Sequence, residues 1–114
     1  MREQTILTVS VSKHTQSRSS FFAYLYPLSE KHEVSGLLRA ARAKHKADHV
    51  PYAYHLTLVD AESDVHVQAL CSDDGEPCHT AGSPLATLLA QRNMTNCLLL
   101  VARVFGGVKL GTSN

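Results

Sequence analysis

The stretch Tyr52-Ala53-Tyr54-His55-Leu56-Thr57-Leu58-Val59 decides the fold, because its residues alternate. Tyr52, Tyr54, Leu56 and Leu58 fall on one side, and Ala53, His55, Thr57 and Val59 on the other. A period of two is the signature of a β-strand with one bulky face and one mixed face. Asp60 to Asp64 then supplies a turn. Val65, Val67, Ala69 and Cys71 alternate against His66, Gln68 and Leu70, so a second strand follows and pairs antiparallel with the first as a hairpin.

Upstream of this hairpin, Ser20 to Leu28 is rich in aromatic and aliphatic residues and carries Pro27 near its end, which reads as a strand running into a turn. Ser29 is the expected N-cap of a helix, since its hydroxyl can accept a bond from a first-turn amide. Val34, Leu37, Leu38 and Ala41 recur on one helical face. Gly36 interrupts that helix at a cost of roughly 0.5–1 kcal/mol relative to Ala, and close packing against the sheet is the expected reason. Downstream, Ser83 and Pro84 mark a helix start, and Leu85, Leu88 and Leu89 line one side. Cys97 to Phe105 is an almost unbroken apolar run, the pattern of a central strand covered on both faces. The order strand, helix, strand, strand, helix, strand predicts an α+β sandwich, with helices covering one side of the sheet.

The 114 residues and 44% hydrophobic content suit one core and hence one domain. No apolar run approaches the ~20 residues of a membrane span. The start Met1-Arg2-Glu3-Gln4 lacks the pattern of a signal peptide, so a cytoplasmic location away from membranes is the expectation. Cys71, Cys78 and Cys97 are odd in number and include no Cys-x-x-Cys pair, which predicts reduced thiols. Charge is uneven despite a net +1. Residues 1–49 carry eight Lys/Arg against four Asp/Glu, and residues 50–114 three against six. Four of the basic residues, Arg39, Arg42, Lys44 and Lys46, fall on the expected solvated side of the first helix.

Chemistry-bearing residues concentrate between Ser72 and Gly82, where Asp73, Asp74, Glu76, Cys78 and His79 lie between a strand end and a helix start. Such a loop is aimed by a rigid scaffold. Its carboxylates could hold a hard cation or act as acid and base, or could cap the following helix at the positive end of its dipole. Cys78 and His79 are adjacent and point opposite ways in extended chain, so they do not form a nucleophile–base pair. Gly106 to Gly111 has the glycine spacing of a phosphate loop after an apolar strand, but Thr112 stands where that motif needs lysine. The glycines and Lys109 could still present amides and charge to an anion, or simply serve a tight turn. His45 and His49 straddle the expected helix end and need not share a face, so no metal site is expected from them.

In order, Ser17-Arg18-Ser19-Ser20-Phe21-Phe22-Ala23-Tyr24, His49 with Tyr52-Ala53-Tyr54, Ser72-Asp73-Asp74-Gly75-Glu76-Pro77 with Thr80-Ala81-Gly82-Ser83-Pro84, and Arg103-Val104-Phe105-Gly106-Gly107-Val108-Lys109-Leu110-Gly111-Thr112 resemble the IMPACT/YigZ family domain. The resemblance runs from about residue 13 to the end. It implies a four-stranded sheet with helices on one face, like the second domain of ribosomal protein S5. It also implies a single domain over residues 1–114, lacking the family's final helix. His79 departs from the usual glycine of the loop, and Ser113-Asn114 from a glycine pair.

The resemblance further implies a non-enzymatic regulator of translation or stress response. Eukaryotic members restrain the starvation-activated kinase of initiation factor 2, and bacterial members are linked to nucleic acid or the ribosome. Expected partners are therefore a protein of the translation or starvation-signalling machinery, the ribosome or RNA, with no cofactor, metal or catalytic residue. The expected binding surface comprises Arg18, His49, Asp73, Asp74, Glu76, His79, Thr80, Arg103, Gly106, Gly107 and Lys109. Two further readings remain open. One is RNA binding through Lys13, Arg18, Arg103, Lys109 and the basic helix. The other is a metal-assisted hydrolase built on Asp73, Asp74, Glu76 and His79.

Overall fold

The computed structural model describes residues 5, 9–16, 18–74 and 82–105. Seven elements follow one another: β1 (Ser10–Gln16), β2 (Ser19–Pro27), α1 (Glu33–His45), β3 (Tyr52–Val59), β4 (Val65–Ser72), α2 (Gly82–Gln91) and β5 (Cys97–Phe105). The strands form one sheet in the order β1-β2-β5-β3-β4, antiparallel throughout. The α+β class and the hairpin stand, with Tyr52 opposite Ser72 and Val59 opposite Val65. The apolar run is central as expected, β5 lying between β2 and β3.

Among the described residues the sheet has five strands where four were expected. The added strand, β1, has the sequence SVSKHTQ, in which Val11 is the single apolar residue. It is held at the edge by pairing with β2, from Ser10 opposite Leu25 to Gln16 opposite Ser19, and Arg18 turns the chain between them at φ 69°.

The helices lie on opposite faces of the sheet, which corrects the expectation of one covered face. Successive strand residues point to opposite sides, and the two cores sort by that parity. Tyr24, Leu56, Leu98 and Leu100 pack with Val34, Leu37, Leu38 and Ala41 of α1. Leu25, Ala53, Cys97 and Leu99 pack with Leu85, Ala86 and Leu89 of α2. A central strand whose Cys97, Leu98 and Leu100 are all fully buried needs cover on both sides. One helix per side provides it.

The start of α1 also departs from expectation. Its N-cap is His32, without a side-chain cap bond. The Ser29 hydroxyl does not accept an amide; instead the Glu33 carboxylate reaches back, and its Oε1 accepts the amides of Ser29 and Glu30 at 2.9 Å each and the Ser29 hydroxyl at 3.2 Å. Those bonds favour the charged form, chiefly the Glu30 amide and then that of Ser29, and hold the Glu33 carboxyl below its usual range.

Gly36 does not pack closely on the sheet: a Cβ built there meets nothing within 4 Å. The glycine therefore brings only its helix penalty. Gly36→Ala is expected to raise the unfolding free energy by about 0.5–1 kcal/mol, read from the midpoint of chemical denaturation. No helix among the described residues is long and apolar enough to cross a membrane.

At the far end of the hairpin, Asp60 organises the turn. Its Oδ1 accepts the amides of Glu62 and Asp64, and its Oδ2 lies 2.7 Å from His66 Nε2. The His66 bond, followed by the Asp64 amide, holds the Asp60 carboxyl below its usual range.

Candidate functional site

β4 and β5 end, and β2 begins, at the same end of the sheet. Tyr52 lies opposite both Ser72 and Leu100, and Ser19 opposite Phe105. The loop Asp48 to Pro51 is stitched to β5 there: Asp48 N donates to the Arg103 carbonyl at 2.8 Å, Arg103 N to that of His49 at 2.9 Å, and Val101 N to that of Pro51 at 3.0 Å. The sheet architecture therefore gathers Arg18, His49, Asp73, Asp74 and Arg103 at one end. Glu76, His79, Thr80, Gly106, Gly107 and Lys109 lie outside the described residues.

Asp73 and Asp74 diverge from the end of β4 and do different work. The Asp73 Oδ1 accepts the amide of Gly82, a first-turn donor of α2 that has no partner within the helix. A carboxylate there also meets the positive end of the helix dipole. Ser83, the expected cap, lies inside α2, and the Gly82 amide before it is satisfied by a carboxylate from the end of β4. The close approach depends on glycine: a Cβ at Gly82 would sit 2.5 Å from the Ser72 carbonyl oxygen and 2.7 Å from Ser72 N.

Asp74 adopts φ 65°, a left-handed conformation that aspartate tolerates better than most residues, and turns toward α1. Its carboxylate takes a charge-assisted hydrogen bond from Arg42 and lies 3.6 Å from His49 Nδ1. Arg42 is 44% exposed and Asp74 22%, so this pair adds about 0–1 kcal/mol to stability and chiefly fixes the geometry of the rim. Arg103 places its guanidinium 5.8 Å from the Phe21 ring centroid, within cation–π range.

Arg42 and Phe21 complete the arrangement and were not singled out as site residues from the sequence. Arg42 reaches Asp74 across 32 residues of chain, a contact no local pattern encodes. The remaining basic residues of α1 and its C-cap, Arg39, Lys44 and Lys46, are exposed as expected.

His45 and His49 have different partners, in line with their straddling the helix end. His45 stacks on Phe22 at 3.9 Å between centroids and shares a 2.5 Å hydrogen bond with the Tyr24 hydroxyl. Burial, and then the neighbouring Lys44 ammonium, pushes the His45 imidazole below its usual pKa. The fold thus holds the neutral ring. Stability from this group is fully present above the unfolded-state pKa of about 6.5, and is lost as pH falls from there through the folded-state pKa. Thermal midpoints of the wild type should therefore drop between pH 7 and pH 5 more steeply than those of His45→Phe.

Cys71 is disulfide-bonded, which corrects the expectation of reduced thiols at that residue. Cys97 is a free thiol buried in the core. Burial pushes Cys97 up to about 11, so it is not a nucleophile at neutral pH.

Residues 17–114 match the model of the Impact N-terminal domain. The chain is similar to the IMPACT family member YvyE of Bacillus subtilis, with 36% identity over 82% of this chain and 41% of that protein. It is also similar to protein IMPACT of Homo sapiens, with 33% identity over 85% of this chain and 30% of that one. The IMPACT family member YigZ of Escherichia coli is 31% identical over 83% of this chain and 45% of its own length. The chain spans less than half the length of these curated relatives. Among solved structures, its fold resembles that of Yih1, described as a two-domain translational regulator, with a TM-score of 0.54 and 24% identity over 88% of this chain and 36% of that one. By its Impact N-terminal domain and these relatives, the chain belongs to the IMPACT family.

Proposed function

We propose that this chain acts as a single recognition domain in the regulation of translation or the stress response, in the cytoplasm, by binding a protein of the translation or starvation-signalling machinery or the ribosome itself. The contact surface in this reading is the sheet end carrying Arg18, His49, Asp73, Asp74 and Arg103, extended by Glu76, His79, Thr80, Gly106, Gly107 and Lys109. The observation that carries it is the commitment of the two aspartates. Asp73 caps α2 and Asp74 is engaged by Arg42 and His49, so their oxygens do not converge on one cation as a metal-assisted hydrolase requires. A fixed, partly exposed ion pair between Arg42 and Asp74 suits docking, where charge complementarity governs specificity and association rate.

Affinity capture from starved cells tests this reading, comparing the wild type with Asp74→Lys. The variant removes the carboxylate from the rim without touching the Asp73 cap. Ribosomal proteins or translation factors should be enriched with the wild type and lost with the variant. No translation component in either sample would sink the idea.

One observation favours a second reading, RNA binding. Lys13 Nζ lies 5.5 Å from the Phe22 centroid and Lys44 Nζ 6.0 Å from that of Tyr24, beside the exposed cations of α1. An S5-like class of fold would suit this reading too. Titration with RNA at rising salt separates the two, because phosphate contacts make affinity fall steeply with ionic strength.

A further inference from the structure

β4 is an outer strand of the sheet, and an outer strand offers a row of backbone donors and acceptors to another chain. Natural sheets blunt such edges with charge, proline or bulges. β1, at the other edge, carries Lys13 among polar residues. β4, with the sequence VHVQALCS, has no Lys, Arg, Asp, Glu or Pro, and its register with β3 runs without a bulge from Ser72 to Val65. The hairpin is also apolar outside. Of seven large hydrophobic residues exposed among the described ones, four are Val59, Val65, Val67 and Leu70. Beside them a groove of about 350 Å³ opens between β4 and α2, lined by Ala69, Cys71, Ala86 and Ala90 among others.

We infer that the outer edge of β4, which no other strand among the described residues pairs, joins antiparallel with β4 of a second copy, about a two-fold axis perpendicular to the sheet. That axis keeps the α2 face of one copy continuous with the α2 face of the other, so only residues on the same face can stand opposite one another. The register that uses the whole of Val65 to Cys71 centres on Gln68. It sets Val67 against Ala69 of the second copy and Val65 against Cys71 of the second copy. Val67 thereby meets a small residue, and its side chain is directed toward the groove of the other copy. On the opposite face His66 meets Leu70 of the second copy. No like charges oppose across the seam, and a net charge of +1 per chain gives little repulsion between copies. Because the strands run antiparallel, the two Asp74 ends lie at opposite ends of the joined sheet, which leaves the proposed recognition surface open on each copy.

Sedimentation of the full chain from micromolar to millimolar concentration tests the pairing, together with three variants. The wild type should approach the mass of two copies as concentration rises. Val67→Lys, at a position already 58% exposed, should remain at one copy and keep its thermal midpoint, whereas Val11→Lys on β1 should behave as the wild type. Gln68→Cys should cross-link to itself under mild oxidation, since opposed Cβ atoms lie about 4.5–5.5 Å apart. One-copy mass throughout, a two-copy mass that survives Val67→Lys, or a Gln68→Cys chain that does not cross-link would overturn it.

Discussion

Leu98→Ala is expected to lower the unfolding free energy by about 2–5 kcal/mol, the range for deleting a fully buried leucine when the surroundings collapse only partly. Leu98 has no exposed surface. It lies on β5 between Tyr26 of β2 and Tyr54 of β3, beneath α1. Close-packed surroundings relax only partially around a deleted side chain, so part of the cavity should persist. Against a domain stability of roughly 5–15 kcal/mol, this is a large share of the total. Denaturant titration should show a lower midpoint with an unchanged slope. Leu70→Ala, at a residue 50% exposed, should change it little.

Gly82→Ala should also destabilise the chain, by about 1–3 kcal/mol as for other overpacked sites. Its Cβ would fall 2.5 Å from a backbone oxygen of Ser72, and backbone cannot rotate aside as a side-chain tip can. Relief requires the start of α2 to move away from β4, which also stretches the Asp73 cap. The same substitution at Gly36 should be stabilising, because open space surrounds that position. Opposite signs for one chemical change at two helical glycines would separate the local packing from helix propensity. Equal signs would contradict the placement of α2.

Much of this fold is written in local periodicity. The hairpin was legible because Tyr52 to Val59 alternates strictly, and the centre of the sheet because Cys97 to Phe105 admits no polar face. That same run implies cover on both sides, and the structure supplies one helix for each. The one-sided arrangement was read from the order of the elements, which does not by itself say on which face each helix packs. β1 was hidden because an exposed edge strand has no face to bury and so leaves no apolar alternation in Ser10–Gln16. At the start of α1 the signal was present but assigned to the wrong side chain: Ser29 offers a hydroxyl, yet Glu33 four residues later satisfies two amides and the hydroxyl together. The site was only half legible. Its acidic loop and Arg103 stand out by composition, whereas Arg42 meets Asp74 through tertiary packing alone, and Gly82 shows its role only when the Ser72 backbone is placed beside it.

The central claim is that recognition resides at the end of the sheet where β4 and β5 leave it. Amide hydrogen exchange of the chain, alone and with purified ribosomes or a captured translation factor, tests it most directly. The account predicts slowed exchange at Asp48 to Val50, at Asp73 and Asp74 and in the first turn of α2, with the effect lost in Asp74→Lys. Protection confined to α1 or to β1, leaving those segments unchanged, would contradict it.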